Sequence, residues 1–334
     1  MRTTIKKKLV IILYSDAKRK YFSSDEHYQT EVEVYSRSKI IKKRLEKLGF
    51  KVIRLPGDVA LFNKLKKLKP YITLNLVDSV GGKEKKISLI PAVLDLLSIP
   101  YTGAGVTGLS INANKCLTKI ILKQSGIPVP KFQLFTSETQ KLDKNINFPL
   151  IVKLNEAHGS LEINQKAIVV NEEQLSQRIK YLIDKYKQSV LVEEYIRGKE
   201  ITALMIDDKS KKIILAEERI LFKKDKYPLY DFEAAWGKKE IYDCLPYKLN
   251  KHITNYIKTA FEVLQFKDYG RFEILINKNG DYYFIDSNAN PAFGPYGTTS
   301  GPFGYLLHVN KISFDFVVKK IIKNTISRFK NKYP

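Results

Sequence analysis

Up to about residue 127, short apolar runs alternate with stretches in which apolar residues recur every three or four positions. The runs are KLVIILY (8–14), KVIRL (51–55) and YITLNLV (71–77), and the helical spacing covers about 30–48 and 114–126. A further apolar segment, ISLIPAVLDLLSI (87–99), continues the alternation. Strands and helices in turn predict a parallel sheet covered by helices. Sheets built this way take ligands at the carboxyl ends of their strands, where DSVGGKEKK (78–86) would lie. The helix over 114–126 stops at Gly126, and the proline-bracketed IPVP (127–130) marks a change of unit.

Beyond it the pattern predicts strands at PLIVKL (149–154) and KAIVV (166–170), a helix over about 172–186 and a strand at SVLVEEYI (189–196), together a small α+β lobe. Strands at 199–206 and 212–220, a helix at 249–265, a hairpin and terminal helices complete the chain. Residues 223–247 read as a long irregular polar stretch. Loops of that length are uncommon in compact domains unless they cover a site, so this one is the expected lid.

The hairpin carries the first chemical signal. YGRFEILINKNGDYYFIDSN (269–288) reads as two strands joined at the turn NKNG. A register that sets Phe272, Ile274 and Ile276 over Tyr283 and Ile285 leaves Arg271, Glu273, Asp286 and Asn288 together on the opposite face. Two carboxylates that close repel unless a cation lies between them, and an all-oxygen set of this kind suits Mg²⁺. A solvent-facing edge with Arg271 bridging the acids is the alternative these residues leave open.

Composition narrows the field. At 38.5 kDa the chain is too long for one ordinary core, so two or three lobes are expected. No apolar run approaches the roughly 20 residues of a membrane span, and LVIILY after Lys6 to Lys8 lacks a small-residue cleavage site. A buried strand of a cytoplasmic protein accounts for it. The two cysteines, Cys116 and Cys244, lack the close pairings of a structural zinc site. The net charge of +23 permits nucleic-acid binding, but the lysines are spread through every segment and fall between apolar residues at helical spacing, as solvated faces do. Nucleic acid and membrane are therefore not the expected partners.

Five segments in order carry a resemblance: IPYTGAGVTGLSINANKCLTKIILKQSGIPVPKF (99–132), PLIVKLNEAHGSLEI (149–163), VEEYIRGKEIT (192–202), YDFEAAW (230–236) with EIYDCLPYKL (240–249), and GRFEILINKNGDYYFIDSNANPAFGP (270–295). The chain resembles the ATP-grasp ligases, specifically the D-alanine-D-alanine ligase group, over nearly its whole length. The resemblance implies an α/β and α+β architecture. Its parts would be an N-terminal Rossmann-like parallel-sheet lobe (1–113), a small central α+β lobe (114–192) and a C-terminal antiparallel-sheet lobe (193–334) holding the metal site and the lid (223–247).

It also implies roles. Lys115 and Lys153 would reach the nucleotide phosphates, with Gly159 and Ser160 folding over them. Glu193, Glu194, Tyr195 and Ile196 would form the hinge that holds adenine, Glu193 near the exocyclic amine, and Glu200 would accept from the ribose hydroxyls. Glu273, Asp286 and Asn288 would bind Mg²⁺ or Mn²⁺, and Arg271 would face the transferred phosphoryl group. Glu31 would take the ammonium of the first amino acid, or it is simply an acid at a helix N-terminus. The implied reaction uses ATP to activate a carboxylate as an acyl phosphate that an amine then captures, so the partners are small amino-acid-like carboxylates and amines. D-Alanine is the first named substrate. Dimers are usual among the resembled ligases.

Three departures fall on the substrate pockets. After Glu233-Ala234 this chain has Ala235 and Trp236 where the ligases have lysine then tyrosine. The loop 288–304 departs from theirs, and Thr298, Thr299 and Ser300 are its candidate donors. YSDAKRKYFSSDEH (14–27) replaces the glycine-rich loop before Glu31. Another amino acid, a dipeptide or a protein or peptide acceptor is therefore open, as are two non-enzymatic readings, a nucleotide-binding protein that no longer catalyses and a basic nucleic-acid binder.

Overall fold

A computed structural model describes residues 7–208, 212–222, 225–237, 241–297 and 302–332. The first third runs β1 (Leu9–Tyr14), α1 (Asp25–Lys47), β2 (Lys51–Pro56), α2 (Leu61–Leu68), β3 (Ile72–Leu76), α3 (Leu89–Leu96), α4 (Val106–Asn112) and α5 (Lys115–Gln124). Three strands pair in parallel in the order β2-β1-β3. The unbroken apolar run of β1 follows from burial on both faces. Val10 and Ile12 meet Val34 and Ile41 of α1, whereas Ile11 and Leu13 meet Leu61 and Leu65 of α2 and Leu94 of α3. Ser24 caps α1 by accepting from the His27 amide at 3.1 Å, so the helix starts earlier than the apolar spacing indicates.

The central unit contains β4 (Phe132–Phe135), β5 (Leu150–Leu154), β6 (Ile168–Val169), α6 (Glu172–Tyr186) and β7 (Val190–Glu194). Its antiparallel sheet has the order β4-β7-β5-β6, with α6 packed on one face. Of the expected strand 166–170 only two residues pair, because Asn164 caps a 3-10 turn at Gln165–Ala167.

A five-stranded antiparallel sheet, β10-β9-β8-β11-β12, follows. It comprises β8 (Gly198–Ile206), β9 (Ile213–Leu221), β10 (Tyr242–Pro246), β11 (Tyr269–Asn277) and β12 (Tyr282–Asn288). α7 (Phe232–Trp236), α8 (Lys251–Val263), α9 (Pro302–Val309) and α10 (Phe314–Lys332) complete the chain. Residues 223–247 are thus not wholly irregular. Asp231 caps α7 by accepting from the Ala234 amide at 2.9 Å, and β10 adds to the sheet edge beside β9. Val317, Val318, Ile321 and Ile322 of α10 pack into the core that holds Val10 and Ile12, so the last helix closes the first sheet although it belongs in sequence to the 193–334 segment. Among the described residues no helix is long and apolar enough to cross a membrane.

Candidate active site

The hairpin corrects the expected register. Arg271 lies opposite Asn288 and Glu273 opposite Asp286, but Ile274 pairs with Phe284, so Ile285 is an extra residue in a β-bulge. Phe284, not Tyr283 or Ile285, joins Phe272 and Ile274 in the core. Strict alternation would put Asp286 on the same face as Phe284; the bulge rotates it onto the face of Glu273. The four polar residues share a face as expected, for a different reason.

Lys119 holds that bulge. One turn beyond Lys115 on α5, it is 3% exposed, and its ammonium donates to the carbonyls of Phe284 and Ile285 at 3.3 and 3.2 Å. It also pairs with Glu193 Oε1 at 2.7 Å, while Lys153 takes Glu193 Oε2 at 2.9 Å. Glu193 is therefore a buried anion between two lysines, and its carboxylate is engaged by them where the resemblance had placed it near an exocyclic amine. Glu194 is also committed, accepting from the Asn147 amide at 2.9 Å, so backbone is what this hinge offers a ligand.

Lys115 Nζ lies 3.1 Å from Asp286 Oδ1, and Arg271 lies 3.1 Å from Glu273 Oε1. Burial disfavours charge on Asp286, yet Lys115, Lys153 and Arg271 hold its carboxyl below the usual range. Burial pushes Lys153 down to about 8. Burial also opposes the charge of Lys115, but Asp286, with Glu84 and Glu273 beside it, raises that lysine. Glu200 is bonded to Arg219, whose guanidinium stacks 3.6 Å from the Tyr230 ring.

Two cavities meet here. The larger, about 650 Å³, lies between the central and C-terminal sheets and is lined by Lys153, Tyr195, Ile196, Glu200, Leu275 and Ile285. The smaller, about 150 Å³, runs toward the first sheet past Asp78, Glu84, Asn288, Arg271 and Trp236. Lys115, Gly159, Ser160, Glu273 and Asp286 line both. Left-handed backbone at Gly159 (φ 67°) and Ser160 (φ 55°) turns the loop between them. A Cβ on Gly159 would meet Thr30 Cγ2 at 2.9 Å, so glycine lets this loop press against α1. Trp236 Nε1 donates to the Gly159 carbonyl at 2.9 Å, and the Phe232 amide to the Ile163 carbonyl at 3.0 Å, which seats α7 over the loop.

The first lobe differs from expectation most. Glu31 is 1% exposed and its Oε1 lies 2.8 Å from His158 Nε2. The His158 amide donates to Glu84 Oε1 at 3.0 Å. Burial disfavours the imidazolium, but Glu84 and Glu31 raise its pKa to about 10. Asp78 accepts from Asn290 Nδ2 at 3.0 Å and lies 3.5 Å from Arg37. Burial pushes Asp78 up to about 6 and Glu84 up to about 7. The sequence reading missed His158, Asp78, Glu84 and Lys119. Asp78 and Glu84 fall in the loop expected to bind ligand, and Lys119 repeats Lys115 at helical spacing. Thr298, Thr299 and Ser300 lie outside the described residues.

A nucleotide-sized cavity between two antiparallel sheets, floored by lysines and acids and opening onto a smaller substrate-sized one, defines an ATP-grasp protein. The family model described as D-ala D-ala ligase C-terminus matches residues 121–323, and the chain belongs to that family, whose members are ATP-dependent ligases forming carbon–nitrogen bonds. It is 29% identical over 316 residues to a D-alanine–D-alanine ligase of Fervidobacterium nodosum, covering 88% of this chain and 94% of that one. The D-alanine–D-alanine ligase of Bacillus anthracis complexed with ATP superposes with a TM-score of 0.72 at 16% identity, over 97% of this chain and 99% of that one. The VanG D-Ala:D-Ser ligase of Enterococcus faecalis does so with 0.71 at 15% identity, over 96% and 100%.

Proposed function

We propose that this protein joins two small amino acids, D-alanine with D-alanine the first pair to test, by activating one carboxylate as an acyl phosphate at the expense of ATP. The junction of the two cavities at Lys115, Glu273 and Asp286 carries the reading, because it sets a triphosphate end-on to a pocket of amino-acid size. The substrate carboxylate attacks the γ-phosphoryl group in line, forming an oxygen–phosphorus bond as the bond to ADP breaks. The amine then attacks the acyl carbon, phosphate leaves and the ammonium proton is lost. Positioning and charge neutralisation account for most of such chemistry.

Lys115 and Lys153 hold the phosphates, and Arg271 faces the transferred group and the developing oxyanion. The Gly159–Ser160 turn and Trp236 close over the junction and keep water from the acyl phosphate. Adenine lies against Ile196, Leu275 and Ile285, with Glu200 toward the ribose. Glu273, Asp286 and Asn288 share one face of a two-stranded edge as two carboxylates and an amide oxygen, a donor set that fits Mg²⁺ or Mn²⁺. When bound, the ion would neutralise charge on the bridging phosphate oxygens. Among the described residues no group of three His, Cys, Asp or Glu offers a competing metal site.

The partners on this reading are small amino-acid carboxylates and amines, in the cytoplasm where ATP is plentiful. The VanG D-Ala:D-Ser ligase shares this fold, and the altered loop 288–304 makes the acceptor the first variable to screen. Phosphate release from ATP and Mg²⁺ with D- and L-amino acids, singly and in pairs, tests the proposal. Release that no amino acid stimulates refutes it.

A further inference from the structure

Resting on the ligase reading, we infer that the ammonium of the substrate in the smaller cavity is received by Asp78 and Glu84, while Glu31 is withheld from it by a standing ion pair with His158. Glu31 does not line the cavity, whereas Asp78, Glu84 and His158 do. Its carboxylate lies behind the imidazole, 2.8 Å from Nε2, and is almost fully buried. An ammonium could reach it only by displacing His158. The His158 backbone is held in place, its amide bonded to Glu84, so the imidazole could uncover Glu31 only by turning into the cavity itself.

The groups that face the cavity beside His158 are unevenly balanced. With Glu31 and His158 paired off against each other, Glu33, Asp78 and Glu84 carry three formal negative charges against the one positive charge of Arg37. Arg37 is 4% exposed, lines the cavity and spans Glu33 at 3.6 Å and Asp78 at 3.5 Å, while its Nε has no hydrogen-bond partner. One cation stretched between two acids leaves room for a second. Buried carboxylates short of a counter-ion are costly, and a ligand ammonium supplies the missing charge without a proton. At the far end of the same cavity Lys115 and Arg271 attract the substrate carboxylate. That end also holds Asp286 and Glu273, which balance the two cations, so the cavity is polarised by the negative excess beside His158, which selects a zwitterion and orients its ammonium there, away from the phosphates. His158 is a positioning residue in this arrangement: it neutralises Glu31 and so moves the ammonium position toward β3.

The chain has a single tryptophan, and Trp236 lines this cavity, so its fluorescence reports occupancy independently of turnover. D-Alanine, L-alanine and, as a probe lacking the ammonium, propionate would be titrated into protein saturated with a non-hydrolysable ATP analogue and Mg²⁺. Asp78→Asn and Glu84→Gln should each weaken amino-acid binding about tenfold or more, the loss expected for a hydrogen bond to a charged group. Propionate and nucleotide affinity should change less than about threefold. Glu31→Gln should leave amino-acid binding within about threefold of the parent. Thermal melts confirm that each variant is folded, and Asp78→Glu, which keeps the charge, should recover part of the affinity. Loss of amino-acid binding in Glu31→Gln with little effect in the other two overturns the inference and leaves the ligase reading intact. A parent protein that binds nucleotide but no amino acid overturns both.

Discussion

Replacing Lys119 with methionine tests how the bulge, and with it the metal face, is held. The methionine keeps the length of the apolar stem and removes only the ammonium. In the parent that ammonium pairs with Glu193 at 2.7 Å and donates to two carbonyls of β12, all in a setting where Lys119 is 3% and Glu193 0% exposed. The variant leaves Glu193 to Lys153 alone and the Phe284 and Ile285 carbonyls without this donor. Breaking a buried ion pair by removing one partner costs about 3–5 kcal/mol, because the other charge stays buried. The existing Lys153 contact offsets part of this, so a loss of about 3 kcal/mol is expected. Urea unfolding followed by far-ultraviolet dichroism and by Trp236 fluorescence reads it as a lower midpoint. ATP affinity should fall too, since Lys153 is drawn fully onto Glu193 and Asp286 loses the bulge that orients it. Lys119→Met with a midpoint shift worth less than about 1 kcal/mol and unchanged ATP affinity would refute the reasoning.

Three further outcomes are expected. Glu273→Gln combined with Asp286→Asn should lower the melting temperature, because Lys115 and Arg271 lose their partners, while the melt stays cooperative, and should abolish Mg²⁺-dependent ADP release; turnover at the parent rate removes the metal assignment. Trp236→Phe deletes the 2.9 Å bond to the Gly159 carbonyl and should raise the amino-acid KM several-fold, in line with about 1 kcal/mol for one hydrogen bond, while ATP affinity holds. Equal effects on both substrates would place the indole elsewhere in the cycle. The pKa of His158 is raised from 6.5 to about 10, so its ion pairs contribute stability that is complete below about pH 6.5 and is lost as pH rises through about 10. The parent should therefore lose more thermal stability across that window than His158→Gln, and parallel curves would show that the imidazole is not charged.

The sequence by itself determined most of the elements and their types, although not β4, α4, α7 or β10, nor the short extent of β6. The run LVIILY buries whichever way it faces, and Asn114, Asn171 and Asn250 cap α5, α6 and α8 close to where the periodicity starts them. These are local effects, decided by residues a turn apart. The five segments in order likewise carried the family and most of the nucleotide site, because phosphate-binding groups lie within single short segments. Tertiary structure decided what depends on residues far apart in the chain. Ile285 becomes the bulged residue where Lys119, 166 positions earlier, ties down its carbonyl. Glu31 becomes unavailable because His158, 127 residues away, folds back onto it. Asp78 and Glu84 read as loop acids until the central lobe covers them, and that burial is what gives them their charge deficit. Pairing and desolvation depend on which groups meet and how far water is excluded, and neither is encoded in any short stretch of sequence.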